Sequence, residues 1–132
     1  MVYDVLVKKA IEARKNSYSP YSNFKVGAAV LAEDGNIYLG CNIENASYGA
    51  TNCAERTAIF NAVAKGNRII KAIALIGDEN NFTYPCGICR QVISEFAEED
   101  TKIIVVKNEK EYHVKTLDEI LPGAFTKKDL DK

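Results

Sequence analysis

Residues 69–106 read IIKAIALIGDENNFTYPCGICRQVISEFAEEDTKIIVV, and this segment carries the clearest pattern of secondary structure in the chain. Two apolar runs, at residues 69–76 and 103–106, predict strands that are buried on both faces. Residues 86–97, between them, predict a helix. A helix that joins two buried strands is typical of a crossover in an α/β sheet. The segment therefore predicts an α/β protein.

The flanking sequence supplies further elements of the same sheet. An Asp-Gly step at residues 34–35 favours a tight hairpin between two of these strands. The remaining predicted elements are a helix at 2–16, strands at 24–31 and 37–43, a helix at 53–65, a strand at 111–114 and a helical turn at 116–121. This order predicts one domain, residues 1–132, built as a three-layer sandwich around a mixed five-stranded sheet.

Composition excludes several classes of protein. The net charge of −1 provides no basic field for nucleic acid, and no apolar run approaches the roughly 20 residues that span a membrane. The N-terminus lacks the features of a signal peptide, so we expect a soluble, cytoplasmic protein. In a reducing compartment, the four cysteines indicate metal binding or catalysis rather than disulfides.

Three of the cysteines have the arrangement of a zinc site. Cys86 and Cys89 lie three residues apart at a predicted helix start, and Cys53 opens the preceding predicted helix. Thiolates suit Zn²⁺, and three protein ligands leave one position of a tetrahedral ion open for water. Helix N-termini favour the thiolate form. The sequence therefore predicts one catalytic zinc ion.

Two residues beside Cys53 can support this chemistry. Glu55 is placed to take a proton from activated water, although residues 52–55 also resemble a capping box. Arg56 can donate to a ligand sulfur, or it can be an ordinary solvated arginine on a helix. The pattern Cys-Ala-Glu followed by Pro-Cys-x-x-Cys is an all-cysteine version of the zinc nucleobase deaminase signature.

Five longer segments extend the similarity over nearly the whole chain. They are SPYSNFKVGAAV (19–30), GCNIENASYG (40–49), CAERTAI (53–59), YPCGICRQVISEF (84–96) and LPGAFTKKDL (121–130). Together they resemble the small homotetrameric, three-cysteine cytidine deaminases. This resemblance implies hydrolytic deamination of cytidine and deoxycytidine to uridine and deoxyuridine, with release of ammonia, in pyrimidine salvage.

The resemblance also implies a role for each matching residue. It assigns the zinc to Cys53, Cys86 and Cys89, and proton transfer to Glu55. By the same resemblance, Phe24 packs on the pyrimidine ring, and Asn42 and Glu44 bind the ribose 3′-hydroxyl. The backbone of Ala54 and the carbonyl of Pro85 bind the edge of the base, and Arg56 and Gln91 lie near the ligand sulfurs. The residues expected to complete a neighbouring subunit's pocket are Ala46, Tyr48 and Phe125.

From the residues alone, alternatives stay open. Phe24, Tyr48 and Phe125 also suit core packing, and Asn42 and Glu44 also suit a solvated turn. The protein can instead be a related zinc deaminase acting on a purine or on an aminopyrimidine nucleoside antibiotic, or a redox protein with a Cys-x-x-Cys pair.

A structural Cys₄ zinc module is a further alternative, with Cys41 as its fourth ligand. Cys41 is interpreted more simply as a small buried apolar residue. For His113, the only histidine, surface or packing duty is expected.

Overall fold

A computed structural model describes residues 2–130, with Val2 described by its backbone alone. Its elements are α1 (Val2–Arg14), β1 (Gly27–Ala32), β2 (Ile37–Cys41), a 3₁₀ turn (Tyr48–Ala50), α2 (Ala54–Ala64), β3 (Ile70–Ile76), α3 (Gly87–Phe96), β4 (Ala97–Asn108), β5 (Glu111–Thr116), α4 (Leu117–Ile120) and α5 (Lys127–Leu130). The predicted order of the main elements is confirmed. Within the described part of the chain, no helix is long and apolar enough to cross a membrane.

All five strands form one mixed sheet in the order β2-β1-β3-β4-β5. β3 and β4 run parallel, and α3 makes the crossover between them. The other three neighbouring pairs are antiparallel. The predicted mixed five-stranded sheet is therefore confirmed.

Helices cover both faces of this sheet. On one face, Leu6 and Ala10 of α1 pack in a core cluster with Ile104. On the other face, Ile59 of α2 and Ile93 of α3 pack in a second cluster with side chains from β1, β3 and β4. Each fully buried leucine or isoleucine side chain contributes about 1.5–3 kcal/mol to folding. The predicted three-layer sandwich is confirmed.

Two glycines let the helices approach the sheet closely. A Cβ at Gly27 would meet the backbone of α1, and a Cβ at Gly40 would lie 2.6 Å from the Ala54 carbonyl oxygen. It would also collide with the Ala58 amide nitrogen. Gly40 thus fixes the first turn of α2 against β2, and this turn adjoins Cys53.

The first two strands are shorter than predicted. The side chain of Asn42 replaces the strand ladder where they end: its Nδ2 donates to the Phe24 carbonyl at 2.7 Å, and its Oδ1 accepts from the Val26 N–H at 2.9 Å. β1 therefore begins at Gly27 and β2 ends at Cys41, and Phe24 lies in the loop before β1.

β4 begins at Ala97, earlier than predicted, because its polar start still pairs with β3. Ile70 pairs with Ala97, with a register shift before the next pair. The buried Thr101 hydroxyl bridges the irregularity, donating to the Ile70 carbonyl and accepting from the Glu98 N–H, both at 2.8 Å. Two short elements, the 3₁₀ turn and α5, lie where loop and tail were expected.

Candidate active site

Three cysteine sulfurs meet where α2 and α3 begin. Cys53 and Cys86 are the N-cap residues of these helices, and both have extended backbone. Cys89 lies in the first turn of α3 and is fully buried. The three Sγ atoms all lie within 4.8 Å of one another. Two helix N-termini therefore direct partial positive charge toward one group of thiols.

The distances between these sulfurs fit a zinc ion. All three cysteines are free thiols, and Cys53 Sγ lies 3.8 Å from Cys86 Sγ. Two sulfurs that each lie about 2.3 Å from a tetrahedral zinc are about 3.8 Å apart. Soft sulfur donors select Zn²⁺ over the hard cations. The three cysteines therefore form the Zn²⁺ site.

Cys41 is not part of this group. Among the described residues, the cluster with metal-ligand geometry contains Cys53, Cys86 and Cys89 alone. Cys41 ends β2, and burial raises the pKa of its thiol. The geometry therefore provides three sulfur ligands. The sequence predicts a buried apolar residue at Cys41, whereas the structure leaves this side chain only partly buried at the end of the strand.

Hydrogen bonds and charge favour the thiolate form of Cys53. Its pKa is lowered mainly by a hydrogen bond from the Cys89 thiol and also by the Arg56 guanidinium. The same pairing raises the pKa of Cys89, because Cys89 acts as the donor. Arg56 Nη2 donates to Cys53 Sγ at 3.4 Å, whereas Arg56 Nε is buried without a partner. The guanidinium group of Arg56 thus places its positive charge beside a ligand sulfur.

Glu55 is a buried carboxyl group in the first turn of α2. Its residue is 4% exposed, and burial is the main cause that raises its pKa from 4.5 to about 7. The capping-box interpretation is wrong: the N-cap is Cys53, it makes no side-chain cap bond, and the Asn52 amide donates to Thr57. Glu55 is therefore available for chemistry rather than for capping.

A cavity of about 260 Å³ brings many of the predicted site residues together. Its lining includes Phe24, Asn42, Glu44, Cys53, Ala54, Glu55 and Cys86. Pro85, directly before Cys86, is buried, and its carbonyl accepts a hydrogen bond from Arg90 Nε at 2.7 Å. The lining of the cavity thus combines two of the three cluster cysteines, the buried carboxyl group and an aromatic ring, whereas Cys89 and Pro85 are buried in the chain's interior and are not part of the lining.

Asn42 and Glu44 are both buried and bound to the chain around the cavity. Asn42 Oδ1 also accepts from the Ser17 hydroxyl. Glu44 Oε1 accepts from the backbone N–H groups of Tyr21 and Ser22 at 2.9 and 3.0 Å, and its Oε2 accepts from the Ser22 hydroxyl. The Ser22 hydroxyl is the main cause that lowers the pKa of Glu44. Glu44 is therefore a carboxylate at neutral pH.

The other predicted site residues lie outside this cavity. Ala46, Tyr48 and Phe125 are exposed on the described chain, Tyr48 to 76% and Phe125 to 59%. Gln91 is exposed, and its Nε2 donates to the Phe125 carbonyl at 2.6 Å rather than to a sulfur. These residues do not meet the cavity within one chain.

Several residues of the site were not identified from the sequence. Thr83 and Tyr84 line the cavity, and their position directly before Pro85-Cys86 is a signal that could have pointed to them. Ser22 also lines the cavity, but its link to Glu44 joins distant parts of the chain and leaves no local signal.

His113 stacks on Phe82 with ring centroids 4.2 Å apart. This contact agrees with the expected packing role of His113. It also fastens the loop that leads to Pro85 and Cys86 onto β5.

Comparison with known proteins agrees with this geometry. Residues 2–107 match the family described as the cytidine and deoxycytidylate deaminase zinc-binding region. The chain is 50% identical over 127 residues to a cytidine deaminase of Halalkalibacterium halodurans, covering 96% of each chain. It is 48% identical to a cytidine deaminase of Sporosarcina psychrophila, covering 98% of this chain and 96% of that protein.

Solved structures give the same result for the fold. A crystal structure of cytidine deaminase from Burkholderia pseudomallei matches with a TM-score of 0.89 and 44% identity, covering 95% of this chain and all 100% of that chain. Cytidine deaminase from Mycobacterium tuberculosis matches with a TM-score of 0.83 and 35% identity, covering 95% and 98%. With its three-sulfur site, its buried glutamate and these similarities, the chain belongs to the zinc-dependent cytidine deaminase family.

Proposed function

We propose that this protein hydrolyses cytidine and deoxycytidine to uridine and deoxyuridine, releasing ammonia, as a step in pyrimidine salvage. The observation that carries the proposal is that Glu55 and the sulfur site share one small cavity. The relatives from Halalkalibacterium halodurans and Sporosarcina psychrophila are both named cytidine deaminase, which supports the choice of substrate.

The chain's own residues divide the chemistry between them. Zn²⁺ held by Cys53, Cys86 and Cys89 supplies the Lewis acidity that makes water nucleophilic near neutral pH. Glu55 accepts a proton from the attacking water and delivers it to N3 of the ring, which makes C4 more electrophilic. Glu55 then carries the remaining proton of that water, from the hydroxyl group now on C4, to the amino group, and the C4–N bond breaks to release ammonia. Burial raises the pKa of Glu55 above that of an ordinary carboxyl group, and a raised pKa suits a group that serves as base and then as acid.

Residues of the cavity wall are proposed to hold the nucleoside. Phe24 packs on the pyrimidine, and the backbone of Ala54 and the carbonyl of Pro85 bind its edge. Asn42 and Glu44 bind the ribose 3′-hydroxyl. The positions of Phe24, Ala54, Asn42 and Glu44 in the lining of this cavity support these roles. Three thiolate ligands donate negative charge to the metal and so make it less electrophilic. Arg56 donates a hydrogen bond to a ligand sulfur, and its proposed role is to reduce this donation and make the metal more electrophilic.

Glu44 also bears on substrate choice. Its pKa is lowered, so it presents a negative charge next to the proposed sugar site. A carboxylate accepts hydrogen bonds from hydroxyl groups but repels a phosphate. We therefore expect free nucleosides to be substrates and nucleotides to be poor ones.

We further propose that the working unit is a homotetramer with one zinc per subunit. Ala46, Tyr48 and Phe125 would complete the pocket of a neighbouring subunit, and the exposure of both aromatic side chains supports this role. Gln91 would act near the same region through the Phe125 backbone. Each chain, residues 1–132, would serve as one catalytic domain. Thiolate ligands must stay reduced, which favours the cytoplasm as the location.

A substrate panel followed by ultraviolet absorbance tests the proposal. Cytidine, deoxycytidine, CMP, adenosine and an aminopyrimidine nucleoside antibiotic are compared, with and without a zinc chelator. We expect cytidine and deoxycytidine to be turned over, CMP to be poor, and the chelator to abolish turnover. Preferred turnover of adenosine or of the antibiotic would overturn the assignment, and so would chelator-resistant activity.

A further inference from the structure

We propose that Gly77 positions the Phe24 ring at the wall of the catalytic cavity. Because Gly77 has no side chain, the ring can lie where it packs on the pyrimidine, and this position of the ring sets the binding affinity. This inference rests on the proposed function, because it takes the ligand of the cavity to be a pyrimidine nucleoside. Gly77 follows the last residue of β3 and is buried.

Space, rather than backbone conformation, requires a glycine here. The described glycines with positive φ are Gly35, Gly66 and Gly123, so the backbone of Gly77 is one that alanine can adopt. A Cβ on Gly77 would lie 2.5 Å from Phe24 Cζ and 2.6 Å from Thr83 Oγ1. Both neighbours line the catalytic cavity. The volume of one methyl group at Gly77 is thus already taken up by the cavity wall.

The backbone of Gly77 cannot retreat from this contact. Its carbonyl accepts a hydrogen bond from Arg14 Nη1. Arg14 also forms an ion pair with Glu79 at 3.6 Å, and the preceding Ile76 pairs with Gly27 in the sheet. An added methyl group therefore displaces the neighbouring side chains instead of the glycine.

The Phe24 ring is the neighbour that can move. The Phe24 N–H donates to Ser22 Oγ at 3.0 Å, and its carbonyl accepts from Asn42 Nδ2 at 2.7 Å, so its backbone is held. Its side chain has room to move, because Phe24 is 41% exposed and also lines a second cavity of about 380 Å³. Restoring an ordinary contact of 3.4 Å from 2.5 Å moves the ring by about 1 Å.

A displaced ring changes binding more than chemistry. In the proposed function the ring packs on the pyrimidine, whereas proton transfer is assigned to Glu55. Loss of the stacking of a base on an aromatic ring weakens binding by up to about 100-fold. We expect Gly77→Ala to lower kcat/KM for cytidine by about 10- to 100-fold, mostly through KM, while kcat and zinc content stay near the wild-type values.

Two measurements test the inference. Calorimetric titration of cytidine into zinc-loaded Glu55→Gln, with and without Gly77→Ala, should show weaker binding by about tenfold with alanine. Phe24→Leu, which lacks a Cζ atom, should remove the shorter of the two clashes and leave the one with Thr83 Oγ1. Adding Gly77→Ala to Phe24→Leu should therefore weaken cytidine binding less than adding it to the Phe24 protein does. If Gly77→Ala does not fold, recovery of folding in the double variant gives the same support.

Several results would overturn it. They are unchanged cytidine binding in Gly77→Ala, losses from the Phe24 and Gly77 changes that simply add, or a double variant that folds no better than Gly77→Ala. Failure of the proposed function is a separate result, since it would appear first as wild-type protein that does not turn over cytidine.

Discussion

Replacing Glu55 with glutamine should stabilise the metal-free protein at neutral and higher pH. Burial raises the pKa of Glu55 from 4.5 to about 7, so ionising this carboxyl is costly in the fold. At about 1.4 kcal/mol per pH unit, the cost is about 3 kcal/mol once the group is ionised. Glutamine has nearly the same shape and no charge to bury.

The pH dependence of this gain has a definite sign. Below pH 4.5 the carboxyl is protonated in the folded and the unfolded chain, and the wild type carries no penalty. As pH rises through 4.5, the unfolded chain loses its proton first, and the wild type loses stability until about pH 7. Glu55→Gln should therefore match the wild type near pH 4 and exceed it by about 3 kcal/mol at pH 8.

Denaturant unfolding of the metal-free proteins, at one protein concentration, measures this difference. Glu99→Gln, a change at an exposed position on β4, serves as the matched control and should stay within about 0.5 kcal/mol of the wild type. An equal gain at pH 4 and pH 8, or no gain at pH 8, would refute the argument. In the zinc-loaded form, Glu55→Gln should keep its zinc and lose at least about 100-fold in kcat.

Three further predictions concern the site and its support. Arg56→Gln should weaken zinc retention against a chromogenic chelator by about 10- to 100-fold, and unchanged retention would contradict its contact with the ligand sulfur. Gly40→Ala should destabilise the protein by about 1–3 kcal/mol by pushing α2 from β2, whereas Gly49→Ala, which adds its methyl group to open space, should be nearly neutral in denaturant unfolding. Hydrogen bonding, chiefly from the Tyr38 hydroxyl, lowers the pKa of Asp34 from 3.8 to about 2. The ionised Asp34 therefore stabilises the fold above this range, and the stabilisation is lost as pH falls from 3.8 to about 2. Asp34→Asn should lack this loss of stability when unfolding is measured over the same acid range.

Local pattern was sufficient where it had a single physical solution. The runs at residues 69–76 and 103–106 are too apolar to lie at a surface, and the structure places them in the centre of the sheet. Likewise, two cysteines with the spacing of Cys86 and Cys89 at a helix N-terminus favour few roles, chiefly metal binding or redox chemistry. Zinc and the α/β sandwich could therefore be predicted before any coordinates.

Long-range hydrogen bonds could not be predicted in the same way. The amide of Asn42 ends two strands by bonding to Phe24 and Val26, which lie on another segment of the chain. The early start of β4 depends on Thr101 reaching the Ile70 carbonyl, although its own sequence is polar. These hydrogen-bond partners come together only in the assembled sheet, and the sequence around each residue does not indicate which partner it will have.

Zinc-edge X-ray absorption of the purified protein can distinguish a three-sulfur catalytic zinc site from a closed four-sulfur site. We expect three sulfur scatterers at about 2.3 Å and one lighter atom in the remaining position. The same spectrum should appear for Cys41→Ser, because Cys41 lies outside the sulfur cluster. Four sulfur scatterers in the wild type, falling to three in Cys41→Ser, would contradict the account and indicate a closed structural site.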